Sequence, residues 1–113
     1  MTAPIYHLAV AAEWVASEGE YRRSTLGRSL DEVGYVHCAT AAQLQGVADL
    51  FYRGRDDVVL LTIDPERVGA PVRYEEVGGE KFPHVYGPVP IKAVVSVTPL
   101  RPAEDGRLAL GAL

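Results

Sequence analysis

Apolar and polar positions along the chain switch between two periods, and the switches mark the elements. Ile5-Tyr6-His7-Leu8-Ala9-Val10 is a run of strand formers and predicts a first strand. Ala11 to Glu18 predicts a short helix carrying Trp14 and Val15, with Gly19 placed to end it. Glu20 to Glu32 is polar and weakly periodic, and predicts loop with a turn of helix. Gly34-Tyr35-Val36-His37-Cys38 predicts a second short strand.

The next segment carries the clearest local signal. Thr40 and Gln43 have the spacing of a capping box, in which each side chain satisfies a free backbone donor of the other residue. Leu44, Val47, Ala48 and Phe51 follow at i, i+3, i+4 and i+7, one apolar face of a helix that Gly54 ends. Val58 to Ile63 is a continuous apolar run, as expected of a strand buried on both faces, and Asp64-Pro65 breaks it. Val72 to Val77 alternates as a half-buried strand does, Gly78-Gly79 predicts a turn, and Lys81 to Pro90, with its prolines, is extended or looped. Ile91 to Thr98 predicts another strand, and Arg107 to Leu110 a short last one.

Helices early and strands late favour an α+β fold over a doubly wound sheet. No linker, repeat or low-complexity stretch interrupts residues 1–113, so the whole chain is expected to form a single domain. A domain of 113 residues buries somewhat over ~60% of its unfolded surface, which allows one modest core without staples.

Charge narrows the partners. The formal net charge is −4, and the basic residues are scattered, with only Arg22 and Arg23 adjacent and Arg28 nearby. A protein living on phosphate-backbone contacts shows a basic stripe, so extended nucleic acid is disfavoured, while one phosphate or a nucleotide remains compatible. Cys38 is the single cysteine, so no intramolecular disulfide forms. No apolar stretch approaches the roughly 18 residues that span a bilayer, and Met1 to Pro4 lacks a signal-peptide pattern, so a cytoplasmic protein with no membrane partner is expected.

All three histidines sit beside extended apolar segments: Tyr6-His7, Tyr35-Val36-His37 and Phe82-Pro83-His84-Val85-Tyr86. The polar stretches contain none, which points to one shared cleft rather than three unrelated structural roles. His37 lies just before the helix capped by Thr40, where free N–H groups and the helix dipole favour an anion. The loop Phe82 to Pro88 is stiff and aromatic, as a binding loop should be. No G-x-G-x-x-G, P-loop, H-x-x-x-H or C-x-x-C is present. A metal centre would have to be assembled from distant strands, and none is expected from spacing alone. Cys38 adjoins His37, but neighbours in a strand point to opposite faces, so the two do not form a nucleophile pair.

The stretches Ile5-Tyr6-His7, Gly34-Tyr35-Val36-His37-Cys38, Val47-Ala48-Asp49-Leu50-Phe51-Tyr52, Val72-Arg73-Tyr74-Glu75 and Phe82-Pro83-His84-Val85-Tyr86-Gly87 resemble, in order and spacing, the bacterial domain-of-unknown-function family 952 over about residues 5–97. That family is similar to the ADP-ribosyltransferase fold, including the RNA 2′-phosphotransferases. The resemblance implies two small packed, antiparallel-rich sheets with two to three helices, and a cleft for NAD or a related nucleotide. It implies that His7 holds the ribose and adenosine part, that His37 and Thr40 line the nicotinamide or phosphate side, and that Tyr6, Phe82, His84 and Tyr86 add contacts. His37 is the implied catalytic residue. The glutamate motif of the classical transferases has no recognisable copy, and Glu75 and Glu80, with Glu76, are the late-strand carboxylates available for that role. The expected chemistry is ribosyl or 2′-phosphate transfer. A three-histidine zinc centre and a non-catalytic ligand-binding module are the alternatives.

Overall fold

The computed structural model describes residues 2–111 and 113. β1 (Ile5–Val10), β6 (Val58–Ile63) and β10 (Val94–Pro99) form one three-stranded antiparallel sheet with β6 in the middle. A second three-stranded antiparallel sheet is built from β5 (Val36–His37), β8 (Glu80–Val85) and β7 (Val72–Val77), with β8 central. Between them in sequence lie short ribbons: β2 (Glu20–Tyr21) pairs β9 (Val89–Pro90), and β3 (Arg23–Thr25) pairs β4 (Arg28–Ser29). Three helices complete the domain: α1 (Ala11–Val15), α2 (Leu30–Val33) and α3 (Ala41–Phe51). This is an α+β domain with several antiparallel sheets. No helix among the described residues is long and apolar enough to cross a membrane.

Strand alternation divides the core in two. Ile5 and Ala9 of β1 join Val59, Leu61 and Ile63 of β6, and meet Val36 and Val85 from the second sheet. The alternate residues Tyr6, Leu8, Val58 and Leu60 face the other way and pack on Leu44 and Ala48 of α3. Both faces of β1 and β6 are therefore buried, which is why Val58 to Ile63 reads as an unbroken apolar run. The capping box of α3 forms, with Gln43 Oε1 accepting from the Thr40 N–H at 3.0 Å.

Several boundaries differ from the sequence expectation. The first helix ends at Val15 rather than reaching Glu18. The turn of helix expected in Glu20 to Glu32 is α2, whose Ser29–Glu32 capping box is complete, while much of the expected loop is three short strands. The last main strand begins at Val94, after a 3-10 turn over Ile91–Ala93. In place of a final strand over Arg107 to Leu110 there is a single bridge between Pro102 and Leu108. Phe51, expected on the buried face of α3, is 62% exposed because the helix ends there and no sheet covers it.

The strand expected over Gly34 to Cys38 shrinks to Val36–His37 from both ends: Gly34 is the left-handed C-cap of α2, and Pro83 limits the Cys38 end. The Pro83 carbonyl accepts from the Cys38 N–H at 3.0 Å, but proline has no N–H to return to Cys38, so the ladder stops at that point.

Candidate functional site

The hairpin of β7 and β8 sets the site. Gly78 and Gly79 have φ of 61° and 91°, the left-handed pair that a tight hairpin turn requires. That turn fixes Val77 opposite Glu80, and by counting inward Glu75 opposite Phe82 and Arg73 opposite His84. On the other side of β8, His84 pairs with His37 of β5. His37, His84, Phe82, Arg73 and Glu75 thus share one face of this sheet, opposite to Val36 and Val85, and Phe82 on it packs against the core half that holds Tyr6, Leu8 and Leu44.

His84 is held from several sides. Its Nδ1 is 2.8 Å from Glu75 Oε1, which also accepts from the Tyr86 hydroxyl at 2.5 Å. These two donors, Tyr86 above all, hold the Glu75 carboxyl below its ordinary value, so it is ionised at neutral pH and can only accept. Nδ1 of His84 therefore carries a proton, and Nε2 has no hydrogen-bond partner among the described residues. Tyr35 stacks on the His84 ring with centres 4.1 Å apart, and the His37 ring meets it edge-on at 5.2 Å. The Arg73 guanidinium lies 4.9 Å above the Tyr86 ring. His37 is half-buried, and burial together with the neighbouring His84 lowers its pKa, which favours the neutral imidazole.

His7 occupies a different position. Its Nδ1 is 2.5 Å from the His37 carbonyl oxygen, which can only accept, so Nδ1 is the protonated nitrogen. Nε2 is then the acceptor for the Tyr21 hydroxyl at 2.9 Å. Burial holds the His7 pKa down at about 4. The ring is neutral at physiological pH, with both nitrogens engaged inside the protein. It ties β1 to the backbone of β5 at the residue that carries the His37 side chain.

These groups border a cavity of about 450 Å3 lined by Tyr6, His7, His37, Phe82 and His84, with Leu44 and Val47 of α3. Of the residues singled out from the sequence, the structure brings His7, His37, His84, Tyr6 and Phe82 to this cavity. Tyr86 and Glu75 stand behind His84. Thr40 serves the start of α3 and does not line the cavity. Glu80 is exposed at the hairpin end and makes no side-chain hydrogen bond among the described residues. Cys38 lines the cavity with its thiol pushed up to about 12 by burial, which leaves it protonated and inert as a nucleophile. Among the described residues no three His, Cys, Asp or Glu side chains are placed to hold a metal, and the His7 nitrogens are already taken.

Sequence reasoning missed Tyr21 and Tyr35. Tyr21 sits in a segment read as loop, and its burial follows from the β2–β9 ribbon. Tyr35 was visible only as a neighbour of His37, although aromatic residues beside a candidate imidazole are a signal worth following.

The fold and site define a small α+β domain with a cavity bordered by a carboxylate-held histidine. The family model described as Protein of unknown function (DUF952) matches residues 8–97, and the chain belongs to that family. The crystal structure of protein CC0527 from Caulobacter crescentus is similar, with 30% sequence identity and a TM-score of 0.85 over 96% of this chain and 95% of that one. The solution NMR structure of CC0527 gives 29% identity and a TM-score of 0.78 over 96% and 93%. A comparison with curated proteins gives no match.

Proposed function

We propose that this domain is an acid–base enzyme that takes NAD or a related nucleotide at the His37–His84 pair. The observation that carries the reading is His84 itself: Glu75 fixes Nδ1 at 2.8 Å, and Nε2 has no partner among the described residues, beside His37 at the cavity wall. A buried imidazole oriented by a carboxylate is the arrangement proton transfer needs. The resemblance to the ADP-ribosyltransferase fold supplies the ligand class.

Within that class the geometry favours transfer at a ribose phosphate over cleavage of a ribosyl C–N bond. An oxocarbenium-like sugar needs a carboxylate turned toward it. Glu75 is engaged by His84 and Tyr86, and Glu80 is exposed at the hairpin end. Two imidazoles suit phosphoryl transfer instead. Neutral His37 takes the proton of an attacking hydroxyl or water as that oxygen bonds to phosphorus. The bond from phosphorus to the leaving oxygen breaks, and that oxygen takes the Nε2 proton of a His84 imidazolium. His84 is left neutral, with Nδ1–H still on Glu75. Tyr6 and Phe82 wall the bound ligand, His7 holds the backbone of His37 in place, and Tyr86 locks Glu75.

Binding of NAD, ADP-ribose and a 2′-phosphorylated dinucleotide to the wild type, His37→Gln and His84→Gln, with phosphorus NMR to follow turnover, tests this. Wild-type binding and phosphate release, with binding kept and release lost in both variants, is expected. Ligand recovered unchanged from the wild type would make the domain a non-catalytic binding module, and no binding at all would remove the nucleotide.

A further inference from the structure

Leu26, Phe51 and Val77 are 36%, 62% and 49% exposed, and exposed apolar side chains carry meaning where they gather at one place rather than lie scattered. They come from three separate elements: the turn between β3 and β4, the last residue of α3 and the last residue of β7. All three line the same cavity as His37 and His84. Two of them are carried on hairpin turns shaped by positive-φ glycines, Gly27 at 75° and Gly78 at 61°.

The cavity behind this collar is apolar as well, with Leu8, Leu44 and Val47 on its walls. Away from the His37–His84 pair its side-chain hydrogen-bonding groups are His7, the Cys38 thiol and the hydroxyls of Tyr6, Thr25 and Tyr52, against a lining otherwise apolar. The His7 nitrogens are engaged, and the Tyr52 hydroxyl turns to the Leu8 carbonyl at 3.5 Å. A heterocycle rich in edge donors and acceptors would leave several of them unpaired there, which is unfavourable. A hydrocarbon or plain aryl group leaves none, and an apolar cavity of this kind accepts such a group readily.

We infer that the cavity is a subsite for a hydrocarbon or unsubstituted aryl group of the ligand, entered through the Leu26–Phe51–Val77 collar. The polar, reacting part of the ligand stays at the His37–His84 pair. The inference rests on the acid–base reading for which end of the ligand reacts, and it narrows the substrate to a phosphate or nucleotide ester carrying an apolar substituent.

The probes are 1-naphthyl phosphate, followed by its fluorescence, and inorganic phosphate. Phe51→Ser and Val77→Ser change exposed residues without adding charge, and Val95→Ser on β10, 56% exposed and outside the cavity lining, is the control. The aryl ester is expected to bind more tightly than inorganic phosphate. Each collar variant should weaken it about tenfold while leaving inorganic phosphate and the control variant unchanged. No gain from the aryl group, or a gain that survives both collar variants, overturns the subsite. Collar-sensitive aryl binding with no response of His37 or His84 to phosphate or NAD would instead keep the subsite and remove the acid–base reading.

Discussion

Glu75 and His84 sit diagonally across β7 and β8, and the carboxylate accepts from Nδ1 at 2.8 Å with the imidazole almost wholly buried. The contact is a product of register: a one-residue slip of the hairpin would put the two side chains on opposite faces. Replacing Glu75 with Gln keeps the size of the side chain and removes the charge. The hairpin should survive, the His84 Nδ1–H tautomer should lose its preference, and turnover should fall by about 10²-fold. Side-chain nitrogen NMR reads the tautomer, and an unchanged ring signal in Glu75→Gln would show that the carboxylate does not orient His84.

His7 makes the fold acid-sensitive. Its pKa is lowered from 6.5 to about 4 by burial, so the folded state resists the proton that the unfolded chain accepts. A lowered value means that the stability is present above pH 6.5 and is lost as pH falls toward 4. The difference corresponds to roughly 3 kcal/mol. Urea unfolding at pH 7, 5.5 and 4 should show this loss, and His7→Gln should lower stability at pH 7 while flattening the slope. An equally steep slope in the variant would place the acid sensitivity elsewhere.

Tyr21 supplies the hydroxyl to His7 Nε2, deep in the core at 1% exposure. Tyr21→Phe leaves that nitrogen buried without a donor, and should destabilise the domain by about 1–3 kcal/mol in urea unfolding. A neutral result would mean that water reaches His7 Nε2 in the wild type.

Gly87 has no room for a side chain, since a Cβ there would lie 2.7 Å from Ala70 Cβ. Gly87→Ala should destabilise by about 1–3 kcal/mol through overpacking, and adding Ala70→Gly should restore part of the loss. Purely additive effects of the two changes would argue against that contact.

Much of this was legible along the chain where a pattern is long enough to show its period. Leu44, Val47 and Ala48 with the Thr40–Gln43 box marked α3, and the apolar run Val58 to Ile63 marked the central strand. The hairpin was only half legible. Val72 to Val77 and the Gly78-Gly79 turn show in the sequence, but the prolines give Phe82 to Pro88 the look of a loop. Its first part, up to Val85, belongs to the central strand β8, where Pro83 simply lacks the N–H that the Cys38 carbonyl would accept. Glu20 to Glu32 was misread because strands of two or three residues carry no period, although Ser29 and Glu32 stood at capping-box spacing. The pairing of His37 with His84 joins residues 47 apart across different elements, and no local signal encodes it. The engagement of His7 by Tyr21 is likewise a product of tertiary packing.

Under the proposed acid–base reading, the pH profile of turnover follows from His37. As the proton acceptor it must be neutral, and burial with the nearby His84 lowers its pKa below 6.5. Activity should therefore persist to lower pH than an ordinary imidazole base allows, and fall only as pH drops through that lowered value. An acid limb centred above pH 6.5 would exclude His37 as the base.

The central claim is that the His37–His84 pair meets the ligand, and side-chain nitrogen NMR of the labelled protein during a titration with NAD and ADP-ribose tests it most directly. The account predicts that His84 keeps its Nδ1 proton on Glu75 throughout, and that His84 Nε2 and the His37 ring signals move on addition while His7 keeps its neutral form. His37 and His84 signals that stay fixed through the titration in a folded protein would contradict it.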